Sequence, residues 1–159
     1  MSYLMDTNIF IEAKNSYYAF DICPGFWDWL RRCVEVKSVS MVKEELLRGN
    51  DKLAEWIKDH LSDGFFIKED SEIQSNYRAI ANHVFSLPNF KLAEKQHFLD
   101  GADGWLVAAA MSRRDVIITH ETNDKNCKRK IHIPVVAEHF NVQCQKIYDV
   151  LRALRVRFR

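Results

Sequence analysis

Several features that would place a chain outside the ordinary globular proteins are missing from this sequence. It has no C-x-x-C pair, no apolar run long enough to cross a membrane, and only five glycines and three prolines in 159 residues. These absences argue, in turn, against a cysteine zinc site, a membrane-spanning helix, and a disordered or fibrous chain. We therefore expect one globular domain over residues 1–159.

The cysteines also lack the spacing of a disulfide framework. We expect free thiols in a reducing compartment, at Cys23, Cys33, Cys127 and Cys144. The N-terminus has neither the basic segment nor the apolar core of a secretory signal, so the expected location is the cytoplasm.

An excess of charge of one sign is missing as well. The net charge is +1, which neither requires nor excludes a nucleic-acid partner. Basic residues are nevertheless clustered in two places, Lys125, Lys128, Arg129 and Lys130 in one and Arg152, Arg155, Arg157 and Arg159 in the other. Each cluster can be a solvated face or a surface that binds backbone phosphates.

What the sequence does contain is a series of short apolar segments that alternate with helical patterns. Strands are expected at 3–5, 36–41, 65–67, 116–119 and 142–144, and helices at 24–34, 40–49, 53–61, 71–85, 90–98, 103–113, 134–140 and 145–155. Ser40 is expected to cap the helix that follows the second strand. Short strands separated by helices predict an α/β fold with a parallel sheet covered on both faces.

Acidic residues follow the strands or begin the helices next to them. Asp6 ends the segment YLMD, Glu121 follows VIIT, Asp103 begins a helix, and Glu45 lies in the opening turns of another. Because ligands of such folds bind outside the carboxyl ends of the strands, we expect these four side chains at one edge of the sheet.

Clustered carboxylates repel one another unless a cation lies between them. An all-oxygen set of ligands, without organised cysteine or histidine, favours Mg²⁺ or Mn²⁺ over zinc or copper. These ions commonly serve phosphodiester chemistry, in which they orient water and stabilise charge.

The segments around these acids resemble the successive motifs of PIN domains. The matching stretches are YLMDTN, VSMVKEELLRG, ADGWLVAAAM and VIITHE. Eighteen positions separate Asp103 from Glu121, an interval similar to that of the bacterial VapC-type toxin ribonucleases. The opening segment and FDICPGFW are most similar to a PIN-like branch long carried as a domain of unknown function.

This resemblance implies a three-layer α/β/α sandwich with a central parallel sheet of four to five strands. It also implies a Mg²⁺- or Mn²⁺-dependent endoribonuclease, the toxin of a type II toxin-antitoxin pair. The early helices would form a homodimer face and receive an antitoxin protein.

By motif position, the resemblance gives roles to individual residues. The catalytic and metal-binding acids would be Asp6, Glu45, Asp103 and Glu121, with Asn8 and Thr119 as polar supports that orient Asp6, Glu121 or a water at the metal. The toxins more often have T-x-D where this chain has T-H-E, so Glu121 can ligate directly or through water.

Residues beside these motifs have competing interpretations. Glu44 is expected to be solvated, whereas Asp100 can join the site or cap the helix that follows it. His120 is expected to make a substrate or structural contact rather than to act as a base. Lys125, Lys128, Arg129 and Lys130 are expected to bind RNA phosphates.

Three other functions are compatible with an acid at the end of the first strand. A haloacid-dehalogenase-type phosphatase would need a second acid two positions later, where this chain has Asn8. A receiver-type signalling domain would need paired acids after the first strand. The last alternative is a PIN-shaped module that binds nucleic acid or a partner protein without cutting.

Overall fold

The computed structural model describes residues 2–158. Met1 lies outside this range, and so does Arg159, which belongs to the C-terminal basic cluster of the sequence analysis. The strands are β1 (Tyr3–Met5), β2 (Val36–Val39), β3 (Phe66–Ile67), β4 (Val116–Ile118) and β5 (Cys144–Gln145). The α-helices are α1 (Thr7–Asn15), α2 (Pro24–Arg32), α3 (Ser40–Arg48), α4 (Lys52–His60), α5 (Ser71–Ser86), α6 (Leu92–Asp100), α7 (Asp103–Arg113), α8 (Ile133–His139) and α9 (Ile147–Ala153). None of the helices within residues 2–158 has the length and apolar character needed to cross a membrane.

The strands form one parallel sheet in the order β3-β2-β1-β4-β5. At its centre, Leu4 of β1 pairs with Lys37 on one side and with Ile117 on the other. All residues of β1 and β4 are buried, as expected of parallel strands that helices cover on both faces. The predicted α/β fold with a parallel sheet of four to five strands is confirmed, with five strands.

The direction in which strands are added to the sheet reverses between β1 and β4. The chain first adds β2 and β3 on one side of β1, then crosses to the other side for β4 and β5. The carboxyl ends of β1 and β4 therefore flank the switch point, where open α/β sheets bind their ligands. Receiver-type domains have the order 2-1-3-4-5, so this topology argues against that alternative.

Several local features differ from the sequence-based expectations. Helix α1 follows β1 with only Asp6 between them, whereas the first helix expected from the sequence begins at residue 24. Ser40 does not cap α3: it is the first helical residue, its hydroxyl contacts Glu69, and Val39 occupies the capping position. Strand β5 lies at Cys144–Gln145, later than the predicted 142–144.

Helix α7 runs through the centre of one helical layer and packs along α5. Its buried residues are Gly104, Leu106, Val107, Ala108, Ala109 and Ala110. Gly104 has a specific role, because a Cβ atom there would lie 3.1 Å from the ring of Tyr77. That ring stacks on Trp105 with centroids 4.0 Å apart. These contacts fix the start of α7, and with it the position of Asp103.

We expect Leu106→Ala to lower the free energy of unfolding by about 2–5 kcal/mol, because Leu106 has no exposed surface and its removal leaves a cavity. Leu92→Ala is the matched control: Leu92 is 60% exposed, and the expected change is within about 0.5 kcal/mol. Urea denaturation of both variants measures the difference. Equal effects would contradict the central position of α7 in the core.

Candidate metal centre

Asp6 is the most buried of the four predicted acids, with 1% of its surface exposed. Its backbone N–H donates to the carbonyl of Ile118 at 3.0 Å, which ties the end of β1 to the end of β4. The side-chain Oδ2 accepts a hydrogen bond from Thr119 Oγ1 at 3.0 Å, and the nearby backbone N–H of Asn8 helps to lower the pKa of the carboxyl group. The carboxylate is therefore held at the switch point by groups from both central strands.

Thr119 connects Asp6 to Glu121. Its hydroxyl oxygen, which donates to Asp6, accepts a hydrogen bond from the backbone N–H of Glu121 at 3.1 Å. The Glu121 carboxylate accepts from the N–H of Ile133, at the start of α8, at 2.9 Å through Oε1. Its other oxygen forms an ion pair with Lys130. Glu121 thus faces the site from the loop between β4 and α8, and protein groups hold both of its oxygens.

Glu45 reaches the same edge from α3 and joins two other helices. Its Oε2 accepts from the hydroxyl of Thr7, at the start of α1, at 2.7 Å. Its Oε1 accepts from the backbone N–H of Ala102, just before α7, at 2.7 Å. A Cβ atom at Gly101 would lie 3.0 Å from Oε1, so a larger residue there would crowd the Glu45 carboxylate.

The negative charges of the other three acids all act on Asp103. Burial, followed by the charges of Asp6 and Glu121, raises the pKa of Asp103 to about 8; Glu45 also raises it. Burial and then the charge of Glu121 raise the pKa of Asp6 to about 6. Two carboxyl groups are therefore held well above their ordinary pKa range because negative charge is concentrated in a desolvated place.

Lys130 supplies a positive charge to this cluster. Besides its contact with Glu121, its ammonium group lowers the pKa of both Asp6 and Asp103. Burial works to lower the pKa of Lys130 itself, but its hydrogen bond to Glu121 and the surrounding carboxylates outweigh burial and raise it. The sequence placed Lys130 in a basic cluster for RNA but gave no sign of this ion pair, which depends on how the loop folds back.

The remaining predicted residues lie around the cluster rather than within it. Asn8 is exposed at the start of α1, and its backbone N–H acts on Asp6 only by lowering the pKa of that carboxyl group. Asp100 is exposed at the end of α6, and Ala102 takes the capping position of α7, so of the two alternatives for Asp100 the structure excludes the cap. Glu44 is exposed, as predicted, and pairs with Arg48 at 3.8 Å.

Most of the basic residues in the loop between β4 and α8 also lie away from the acidic cluster. Lys125 pairs with Glu138 at 3.2 Å, and Lys128 and Arg129 are exposed. His120 lies between Thr119 and Glu121 in sequence, but its Nδ1 contacts Glu12 of α1 at 2.7 Å. Only Lys130 of this group joins the acidic cluster.

The acids fit a divalent cation in donor type and in charge. Carboxylate oxygens are the ligands that Mg²⁺ and Mn²⁺ prefer, and the raised pKa values mark a surplus of negative charge that such an ion would neutralise. In this structure the ammonium group of Lys130 neutralises part of that negative charge. In residues 2–158, no group of three or more His, Cys, Asp or Glu side chains is arranged to hold a metal as it stands. Protein groups engage both oxygens of Glu45 and of Glu121, so binding would require some of these bonds to open.

The fold and the site together define an α/β protein with a carboxylate cluster at the switch point of a parallel sheet. The sequence model of one family, described as a domain of unknown function (DUF4411), matches residues 3–158. The chain therefore belongs to the DUF4411 family. Neither a curated protein nor a solved structure matches the chain.

The raised pKa values predict how the stability of the metal-free protein depends on pH. Between about pH 4 and pH 8 the folded protein keeps protons on Asp6 and Asp103 that the unfolded chain has released, so stability falls as the pH rises. Asp103→Asn removes the larger contribution. We expect the difference in free energy of unfolding between this variant and wild type to shift by about 2 kcal/mol in favour of the variant from pH 6 to pH 8, since one pKa unit corresponds to about 1.4 kcal/mol.

Urea denaturation in EDTA at a series of pH values measures this gain. The difference between wild type and Asp103→Asn isolates the site from groups that titrate elsewhere. A difference that stays constant with pH would show that Asp103 ionises normally and that the acids are not closely gathered.

Proposed function

We propose that this protein is a metal-dependent endoribonuclease that hydrolyses phosphodiester bonds in RNA. The observation that carries the proposal is the convergence of Asp6, Glu45, Asp103 and Glu121 at the switch point of the sheet, where burial and then the charges of the other three raise the pKa of Asp103. The resemblance of the four acidic segments to PIN-domain motifs supports the same conclusion and suggests the substrate.

The four acids would hold Mg²⁺ or Mn²⁺, which supplies a Lewis acid for the attacked phosphodiester and promotes ionisation of the attacking water. Thr119 keeps Asp6 and Glu121 in a fixed relation by bonding to both. Lys130, 35% exposed, can release Glu121 and pair with a backbone phosphate instead. Lys128 and Arg129, exposed on the same loop, provide further positive charge for the RNA.

We further propose that the protein is a cytoplasmic toxin that is neutralised by an antitoxin protein and acts as a homodimer. The support comes from the resemblance to VapC-type toxins and from exposed apolar side chains near α2. Ile22 is 70% exposed and Val34 is 77% exposed, so this region has apolar surface that a partner can cover.

A catalytically silent module that binds nucleic acid or a partner protein is the second candidate. The specific observation in its favour is that protein groups already engage both carboxylate oxygens of Glu45 and of Glu121. In such a protein Lys130 would be the permanent counter-charge of the cluster, and no divalent ion would be needed.

Asp103→Asn tests the proposal with Asp100→Asn as its matched control. Asp100 lies on the preceding helix but is exposed, so its replacement should leave cleavage of single-stranded RNA unchanged. Asp103→Asn should reduce cleavage in Mg²⁺ or Mn²⁺ by more than the roughly 10- to 100-fold that is typical of residues that only orient metal ligands. Gel analysis of a labelled RNA of mixed sequence provides the measurement.

Circular dichroism and thermal unfolding of both variants would show that the fold persists. Cleavage by Asp103→Asn at the wild-type rate, or cleavage by wild type in EDTA, would contradict the metal-dependent mechanism. RNA binding by the wild-type protein without cleavage in either metal would favour the silent module.

A further inference from the structure

A small cavity beside the acidic cluster is lined by three tyrosines. It has a volume of about 170 Å³ and lies between α1, the turn that follows α1, and the start of α9. Tyr17 and Tyr18 border it from the turn, and Tyr148 borders it from α9. The volume is below the usual range of about 300–1,000 Å³ for a complete small-molecule site, so the cavity suits one ring system of a larger ligand.

The aromatic rings are arranged around Tyr148. Its centroid lies 6.4 Å from that of Tyr17, with the rings inclined at 71°, and 6.5 Å from that of Tyr18. Tyr18 is itself fixed by stacking on Phe26 at 4.6 Å. Tyr17 is 73% exposed, so one face of the group is open to solvent. An exposed aromatic ring beside half-buried rings on a fixed support is the kind of surface on which unstacked nucleobases bind.

Two polar side chains complete the cavity wall. His120 Nδ1 lies 2.7 Å from Glu12 Oε2, and because a carboxylate only accepts, Nδ1 is the donor. The Glu12 side chain is 53% exposed, which leaves its carboxylate able to accept further hydrogen bonds. Within residues 2–158, Nε2 of His120 is buried without a hydrogen-bond partner. The site therefore has unused hydrogen-bonding capacity next to its aromatic rings.

Two walls of the cavity are formed by residues that are next to the acids in the chain. His120 lies between Thr119 and Glu121, and α1, which supplies Glu12, begins one residue after Asp6. The Tyr148 ring also lies 5.5 Å from the His120 ring, so the cavity and the end of β4 share a wall. A nucleotide chain whose phosphate is at the acidic cluster would have a neighbouring base close to this cavity.

We infer that the cavity binds one unstacked nucleobase of single-stranded RNA, next to the phosphodiester that the acids attack, and that it favours bases with an exocyclic amino group. The inference rests on the proposed function, which supplies the RNA. Tyr17 and Tyr148 provide the stacking surface, and Glu12 accepts from the amino group. Glu12 and His120 favour this polar ligand over an apolar side chain of a partner protein.

The test is the affinity of the full chain for labelled 12-nucleotide RNAs in EDTA, where no cleavage occurs. Oligocytidylate and oligouridylate are the matched pair of probes, because cytosine and uracil differ by an amino group in place of a carbonyl. We expect wild type to bind oligocytidylate more tightly. Tyr17→Leu and Tyr148→Leu should weaken binding by about 5- to 100-fold, as loss of base stacking typically does.

Two further variants separate stacking from recognition of the amino group. Glu12→Gln should reduce the preference for cytidylate over uridylate, because glutamine offers a donor to the uracil carbonyl beside its acceptor. Phe85→Leu is the control, since Phe85 is an aromatic residue 49% exposed on α5 and outside the cavity; its affinities should equal those of wild type.

The two proposals fail in different ways. If wild type cleaves RNA in Mg²⁺ but Tyr17→Leu binds as tightly as wild type, the base site is wrong and the cavity is left as a surface for a partner protein. If binding depends on the tyrosines but no cleavage occurs, the base site stands and the ribonuclease proposal fails. Tyr17 is largely exposed, so its replacement should leave the fold intact if Tyr148→Leu does not fold.

Discussion

The carboxylate of Asp6 is buried between the ends of β1 and β4, and the arrangement of the whole sheet edge follows from that burial. A buried carboxylate is costly unless hydrogen bonds and positive charge compensate for the lost water. Thr119 provides a hydrogen bond, and the nearby N–H of Asn8 also favours the ionised carboxylate. Because Thr119 also bonds to Glu121, compensating for one acid fixes the position of a second. The reversal of strand order at this point places the acids where open α/β sheets bind their ligands.

Within residues 2–158, the positive charge that acts on Asp6 and Asp103 comes from Lys130. It pairs with Glu121 and acts at longer range on Asp6 and Asp103, whose pKa values stay raised in spite of it. One ammonium group is therefore too little charge for four carboxylates. The same imbalance that destabilises the metal-free protein near neutral pH would give a divalent cation its affinity, and the freed Lys130 would be available to a phosphate of the substrate.

The central strands and the placement of the four acids at one edge of the sheet were predictable from the sequence, while the contacts that organise the site were not. The apolar runs YLM and VIIT are too short for helices and end on polar residues, which placed Asp6 and Glu121 at the sheet edge. The contact between Thr119 and Asp6 joins residues 113 positions apart, and Glu45 bonds to Ala102 across 57 positions. Such pairs depend on the angles at which helices cross the sheet. The pairing of His120 with Glu12 and of Lys130 with Glu121 depends in the same way on the path of the loop after β4.

The central claim, a divalent metal centre formed by these acids, is tested most directly by calorimetric titration of the full chain with Mn²⁺ at pH 7 in PIPES and in Tris. These buffers differ in their heats of ionisation, so the difference in measured enthalpy counts the protons released. Because the pKa of Asp103 is about 8 without metal, its carboxyl group must lose its proton to become a ligand. Uptake of Mn²⁺ should therefore release about one proton, and Asp103→Asn should bind more weakly without releasing it. Absence of Mn²⁺ uptake, or uptake with the same enthalpy in both buffers, would contradict the account.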